Sequence, residues 1–352
     1  LRANFILTNL RDIVGSGIFF CLSVFNIMKA EKLKVRQEMY RRMLVPLDGS
    51  KLAEEVFFYA GELAGRLDID MHFLNVCDPD EAKLIPMRQV YVERVAEMVK
   101  ERALKIKTDS GEAEGGRQIE VVARVTTGYP PEEILKYAEE NQIDIILMAT
   151  HGASGVRRWA LGSTAHKVLH AANVPVLLIR SGLPENSAHE EWFQRGIVVP
   201  LDGSDLAESA LPHAEELAKQ RGLRNVEITL LRVCEPILIS EISFHLAPTI
   251  HPTPLTFEEY VKGEVERVRK RCMKYLNGLA EKLKAKGVRV RVEVLSGSPA
   301  DEIIRYVTEN PFQLIVMASH GRSGLSHLAF GSVAEKVLLS VKIPVLIVMP
   351  KS

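Results

Sequence analysis

The sequence predicts an α/β protein built of two tandem domains, each a doubly wound, five-stranded parallel sheet. Three observations predict it: an internal repeat spanning most of the chain, a strict alternation of strand and helix patterns, and polar motifs recurring in register at matching strand ends. Met43-Leu-Val-Pro-Leu-Asp-Gly-Ser50 returns as Ile197-Val-Val-Pro-Leu-Asp-Gly-Ser204, 154 residues later. Thr127 to Ile134 returns as Ser296 to Ile303, and Asp144 to Arg180 as Gln313 to Met349, both 169 residues later. The growth in offset puts 15 extra residues between the first and third strands of the second copy. Three of these fall near Arg221–Asn225 and 12 in the Pro- and His-bearing stretch Ile237–Leu255. The expected boundaries are an N-terminal extension at 1–38, a first domain at 39–181, a linker at 182–195 and a second domain at 196–352.

In the first copy, Arg42–Leu47 is a short apolar strand stopped by Asp-Gly-Ser, and Leu52–Leu67 has helical periodicity. Asp70–Val76 reads as the second strand, Met87 to about Lys107 as a charged amphipathic helix and Ile119–Val125 as the third strand. Pro131 opens a helix running to Asn141, since proline is tolerated in a first turn. Ile143–Ala149 is a continuous apolar run, as a central parallel strand covered on both faces requires. Ser163–Ala172 and Val174–Ile179 are the last helix and strand, and the second copy follows the same order. Right-handed βαβ units make the sheet parallel, in the flavodoxin-like manner, and a ligand then lies beyond the carboxyl ends of the strands flanking the switch point. Those are expected to be strands one and four. The final strands Val174–Ile179 and Ile343–Val348 are apolar edges that need cover, which the two domains can give each other as a pseudo-two-fold pair. Further homodimerisation stays open.

Composition narrows the function. The 352 residues are 47% apolar and 26% charged, and 45 basic residues balance 45 acidic ones, which argues against a nucleic-acid binder. The four cysteines (Cys21, Cys77, Cys234, Cys272) form no CxxC pair and read as core thiols of a reducing cytoplasm. His213, His245 and His251 match no ligand spacing and read as solvated loop histidines rather than a metal site. The uncharged run Ile13–Met28 is shorter than the ~20 residues of a spanning helix. It is open to three readings: a weak membrane anchor, a docking segment, or an upstream extension of a chain starting at Met39 or Met43.

The residues at the strand ends carry the chemistry. After strand four stand Ala149-Thr-His151-Gly152, Gly155 and then Gly162-Ser163-Thr164; the second copy has Ala318-Ser-His320-Gly321-Arg322, Gly324 and Gly331-Ser332. Glycines let backbone N–H groups approach a phosphate, and a helix N-terminus adds partial positive charge. Ser163 and Ser332 are expected to cap that helix and donate to a phosphate oxygen. Asp48 and Asp202 read either as acceptors for an adenine amino group or ribose hydroxyl, or as caps of the following helix. His151 and His320 have no nucleophile and acid beside them, so an orienting role is expected. Gly128 and Gly297 mark helix starts.

These motifs resemble the universal stress protein (UspA-like) family, in tandem form, with its adenine nucleotide α hydrolase-like domain. The resemblance rests on Pro46-x-Asp48-x-Ser50 and Gly152, nine residues, Gly162-Ser163, repeated as Pro200-x-Asp202-x-Ser204 and Gly321, nine residues, Gly331-Ser332. It implies an ATP site in each domain. Asp48 with Val76, and Asp202 with Val233, would hold adenine and ribose, while the Gly-rich stretch and Gly-Ser hold the phosphates, with or without Mg2+. The chain departs from the pattern at Ala149 and Ala318, which replace its first glycine and narrow the site by a methyl. Arg322, where the first copy has Ala153, favours the second site on charge. There is no Walker lysine and no acid pair for two metals, so a cytoplasmic regulatory or protective binder is expected rather than a fast enzyme. Slow hydrolysis or autophosphorylation at Ser163, Thr164 or Ser332, and an interaction scaffold with vestigial sites, are the alternatives.

Overall fold

The structure is a computed structural model that describes residues 39–110, 117–150, 161–180, 196–220, 226–235, 257–320 and 330–349. All but Met39 belong to one compact unit, Tyr40–Ser352. The apolar run Ile13–Met28, the linker, and the stretches Arg221–Asn225 and Ile237–Leu255 with His245 and His251 lie wholly or mainly outside the described residues.

The first half contributes β1 (Arg42–Leu47), α1 (Lys51–Glu54), α2 (Val56–Leu67), β2 (Asp70–Cys77), a 3₁₀ turn (Pro79–Leu84), α3 (Ile85–Asp109), β3 (Val121–Thr127), α4 (Pro130–Glu140), β4 (Ile145–Ala149), α5 (Ser163–Ala171) and β5 (Val176–Ile179). The second contributes β6 (Gly196–Pro200), α6 (Asp205–Glu208), α7 (Ala210–Ala218), β7 (Glu227–Cys234), α8 (Phe257–Lys284), β8 (Arg289–Ser296), α9 (Pro299–Glu309), β9 (Phe312–Ala318), α10 (Ser332–Ser340) and β10 (Val345–Val348). The helix expected at Leu52–Leu67 is broken at Glu55, and α4 starts at Pro130, one residue before the expected Pro131. The third strand lies two residues further on than its apolar pattern suggested.

The ten strands form one sheet in the order β3-β2-β1-β4-β5-β10-β9-β6-β7-β8. Every neighbouring pair is parallel except β5 with β10, which is antiparallel, with Leu177 opposite Leu346. Each half is thus a 3-2-1-4-5 sheet whose direction of winding reverses between its first and fourth strands, where the expected crevice lies. The palindromic order and antiparallel junction relate the halves by a pseudo-two-fold axis. Hydrophobicity follows position: β4, β5, β9 and β10 are buried throughout, while β3 and β8 at the two edges alternate in exposure.

Polar contacts reinforce the junction. Arg180 Nη1 donates to the carbonyls of Leu339 (2.9 Å) and Val341 (2.7 Å), satisfying the end of α10 from the other half. His213 is not a solvated loop residue: it lies on α7 and its Nδ1 is 2.6 Å from the hydroxyl of buried Tyr40.

The helices after strand two are equivalent in a register the motif offsets conceal. Buried Val92, Val95, Ala96 and Val99 of α3 correspond to buried Leu276, Leu279, Ala280 and Leu283 of α8, 184 residues on. At the same offset, Tyr91 donates to Glu54 (3.1 Å) and Tyr275 to Glu208 (2.9 Å). The offset before these helices is 157 and after them 169. The second half therefore inserts 27 residues ahead of its helix and drops 15 behind it, instead of the simple 12-residue insertion its motifs suggest.

Candidate functional site

The switch point of the second half opens into a cavity of about 570 Å³ at the carboxyl ends of β6, β7 and β9. Its volume is that of a small-molecule pocket. Asp202, Arg232, Val233, Ala318, His320 and Gly331-Ser332 all line it, so the ends of three strands and the start of α10 deliver side chains or backbone to one space.

Behind β6, Gly203 holds φ +83, as Gly49 holds φ +78 in the first half, a left-handed turn that favours glycine. That turn folds Ser204 back on Asp202, whose Oδ1 accepts from Ser204 N (3.0 Å) and Oγ (2.6 Å). Ser204 Oγ in turn accepts from Ala207 N at 3.1 Å and is the N-cap of α6. The cap is therefore Ser204, not Asp202. Asp48 Oδ1 likewise accepts from Ser50 N at 2.9 Å. Pro46 and Pro200 sit on β1 and β6 against Leu74 and Leu231, and Val76 is half-buried near the end of β2 as Val233 is on β7.

Across the cavity, the expected serine caps are absent. Gly162 and Gly331 occupy the N-cap positions of α5 and α10, and no side chain caps either helix. The N–H of each glycine donates instead to the carbonyl closing strand four, Gly162 to Thr150 and Gly331 to Ser319, both at 2.8 Å. A Cβ on Gly331 would stand 3.0 Å from the Ser319 carbonyl oxygen, a tight contact that requires the backbone there to give by a few tenths of an ångström. Ser163 and Ser332 are exposed as the first helical residues, with Thr164 half-buried next to Ser163. The start of α10 thus faces the cavity with its partial positive charge uncapped. His320 Nδ1 is 2.8 Å from buried Ser319 Oγ, an orienting contact. Ala149 and Ala318 are buried, and the methyl of Ala318 leaves the cavity open beside it. His151, Gly152, Gly155, Gly321, Arg322 and Gly324 lie outside the described residues.

The residue sequence reasoning missed is Arg232. It is 9% exposed, and its Nε and Nη1 have no hydrogen-bond partner. Its guanidinium carbon stands 5.7 Å from the centre of the Tyr275 ring, whose hydroxyl is pushed above its ordinary pKa by burial and by Glu208. The first half solves the same space differently. There the strand residue is Asn75, donating to Leu47 O at 2.8 Å, and the guanidinium comes from α3: Arg88 Nη1 reaches Asn75 Oδ1 at 3.3 Å while Nη2 pairs with Glu81. The 184-residue register puts Cys272 where Arg88 stands. The arginine thus stands on the helix in one half, paired with a carboxylate, and on the strand in the other, with Nε and Nη1 lacking hydrogen bonds. Only the mismatch of Asn75 with Arg232 in otherwise similar strands signalled this.

The model of the universal stress protein family matches residues 39–180 and again 195–349. The chain belongs to that family. This universal stress protein is 22% identical to one from Mycobacterium tuberculosis (strain H37Rv) over 310 residues, covering 87% of this chain and 96% of the relative. It is 34% identical to universal stress protein YxiE of Bacillus subtilis over 152 residues, 43% of this chain and 97% of the relative. The crystal structure of a universal stress protein from Archaeoglobus fulgidus superposes with a TM-score of 0.58 at 21% identity, covering 88% of this chain and 98% of that one. Among the described residues, no cluster of His, Cys, Asp and Glu could hold a metal ion, and no helix is long and apolar enough to cross a membrane.

Proposed function

We propose that the second domain binds an adenine nucleotide, ATP with or without Mg2+, and that this universal stress protein acts in the stress response as a cytoplasmic regulatory or protective binder rather than a fast enzyme. The observation that carries the reading is the pair of anion-seeking features facing one cavity. The uncapped start of α10 lies on one side and on the other the buried guanidinium of Arg232, whose Nε and Nη1 have no hydrogen-bond partner. Buried guanidinium N–H groups without hydrogen bonds are costly, and a phosphorylated ligand relieves that cost on binding. Asp202 lines the same cavity just beyond β6, and we assign it to the base or ribose. The first domain, whose Arg88 is already paired with Glu81, is the weaker site.

Ser332, exposed at the cavity and free of any capping role, favours autophosphorylation as the second reading. Prolonged incubation with γ-labelled ATP separates the two. The binder predicts neither inorganic phosphate release above a protein-free control nor label on the protein. Label on Ser332, Ser163 or Thr164, or steady phosphate release, would overturn it.

A further inference from the structure

The wall of the cavity holds two thiols from different elements. Cys234 closes β7 and Cys272 lies on α8, and their Sγ atoms are 2.9 Å apart. Neither is engaged in a disulfide, Cys272 is buried and Cys234 half-buried, and both line the cavity. Cys77, the counterpart of Cys234, instead directs its thiol to Glu81 O at 3.4 Å, and the position equivalent to Cys272 is Arg88. Among the described residues the pair has no counterpart in the first half, where Arg88 stands at the position equivalent to Cys272.

We propose that Cys234 and Cys272 are a redox modification site, which hydrogen peroxide converts into a disulfide joining β7 to α8 across the cavity wall. One sulfur attacks a peroxide oxygen, the O–O bond breaks, and the departing hydroxide takes a proton to leave as water, giving a sulfenic acid. The second sulfur attacks that S–OH sulfur, an S–S bond forms, and the hydroxyl leaves with the second thiol proton as another water. The two thiols lose two electrons and peroxide is reduced to two waters. Contact between the sulfurs makes the second step intramolecular, so the sulfenic acid is captured before further oxidation, and a movement under about 1 Å completes the bond.

Burial, followed by the adjacent Cys272, pushes the Cys234 thiol up to about 12, while Arg232 and Arg269 partly offset this. Thiolates are the reactive form, so the pair resists casual oxidation at neutral pH and responds to sustained peroxide. The bond ties positions 38 residues apart and draws α8 toward the strand that carries Arg232 and Val233. The cavity narrows there, and ATP binding weakens severalfold. That last consequence rests on the nucleotide reading; formation of the bond does not.

The test treats the full chain with hydrogen peroxide, alkylates the remaining thiols and maps peptides by mass spectrometry before and after dithiothreitol. The expected result is a Cys234–Cys272 cross-linked peptide, loss of two alkylatable thiols, restoration by dithiothreitol and an unmodified Cys77. In Cys272→Ser the cross-link is absent and Cys234 proceeds to sulfinic acid. Both thiols remaining alkylatable, or Cys234 reaching sulfinic acid in the parent protein, would overturn the proposal. ATP titration of the reduced and oxidised forms reads the consequence, and equal affinity in both would overturn it. If neither form binds ATP, the nucleotide reading fails while the cross-link stands on its own peptide.

Discussion

Arg232→Met is expected to move two measurements in opposite directions: the nucleotide-free protein melts higher, and ATP binds about 10- to 100-fold more weakly. The first effect follows from burial. Arg232 is 9% exposed with two nitrogens unpartnered, and replacing a buried, unmatched charge by an apolar side chain of similar length is neutral or stabilising, by roughly 1–3 kcal/mol. In a domain of this size that raises the melting temperature by about 2–12 °C. The second follows from what the guanidinium awaits. A charge-assisted bond to a phosphate is worth about 1.5–3 kcal/mol, and every 1.4 kcal/mol is tenfold in affinity. Scanning calorimetry without ligand and titration with ATP read the two effects on one preparation. A residue of merely structural value would lower the melting temperature, and that outcome would remove Arg232 from the site.

Leu346→Asp has the largest expected cost to stability. Leu346 is fully buried, lies opposite Leu177 across the antiparallel junction and pairs with Val316 on its other side. Truncation to Ala there costs about 2–5 kcal/mol, and a carboxyl with no partner adds roughly 1–3 kcal/mol more. Against a total stability of about 5–15 kcal/mol, the variant is marginal or unfolded. The junction also says where the damage spreads. Because β10 covers the edge of β5, amide exchange should accelerate in Val176–Ile179 of the other half as well as in β10. Protection of β5 retained in Leu346→Asp would mean that the halves do not depend on each other through this seam.

Much of the fold was legible because its signals are local. The apolar runs of β4 and β9, the Asp-Gly-Ser turns and the repeat in register sufficed to place the crevice between the first and fourth strands. What escaped depends on distant residues. His213 meets Tyr40 across 173 residues and two domains, which no local pattern encodes. The exchange of Asn75 and Arg88 for Arg232 and Cys272 was hidden because unequal loops shift the helix register to 184 while the flanking strands sit at 157 and 169. The serine caps failed for a different reason. A small hydroxyl residue before a helix is a sound cap signal, but Gly331 takes the cap position, where its N–H bonds the Ser319 carbonyl and a Cβ would be tight against that oxygen. A cap would also have consumed the N–H groups that the site offers to a ligand.

Calorimetric titration of ATP into the full chain tests the central claim most directly, with Asp202→Ala/Gly321→Val titrated beside it. The account predicts binding in the micromolar range with a stoichiometry near one per chain, lost in the double variant. No binding to the parent protein, or binding unchanged in the variant, would contradict it.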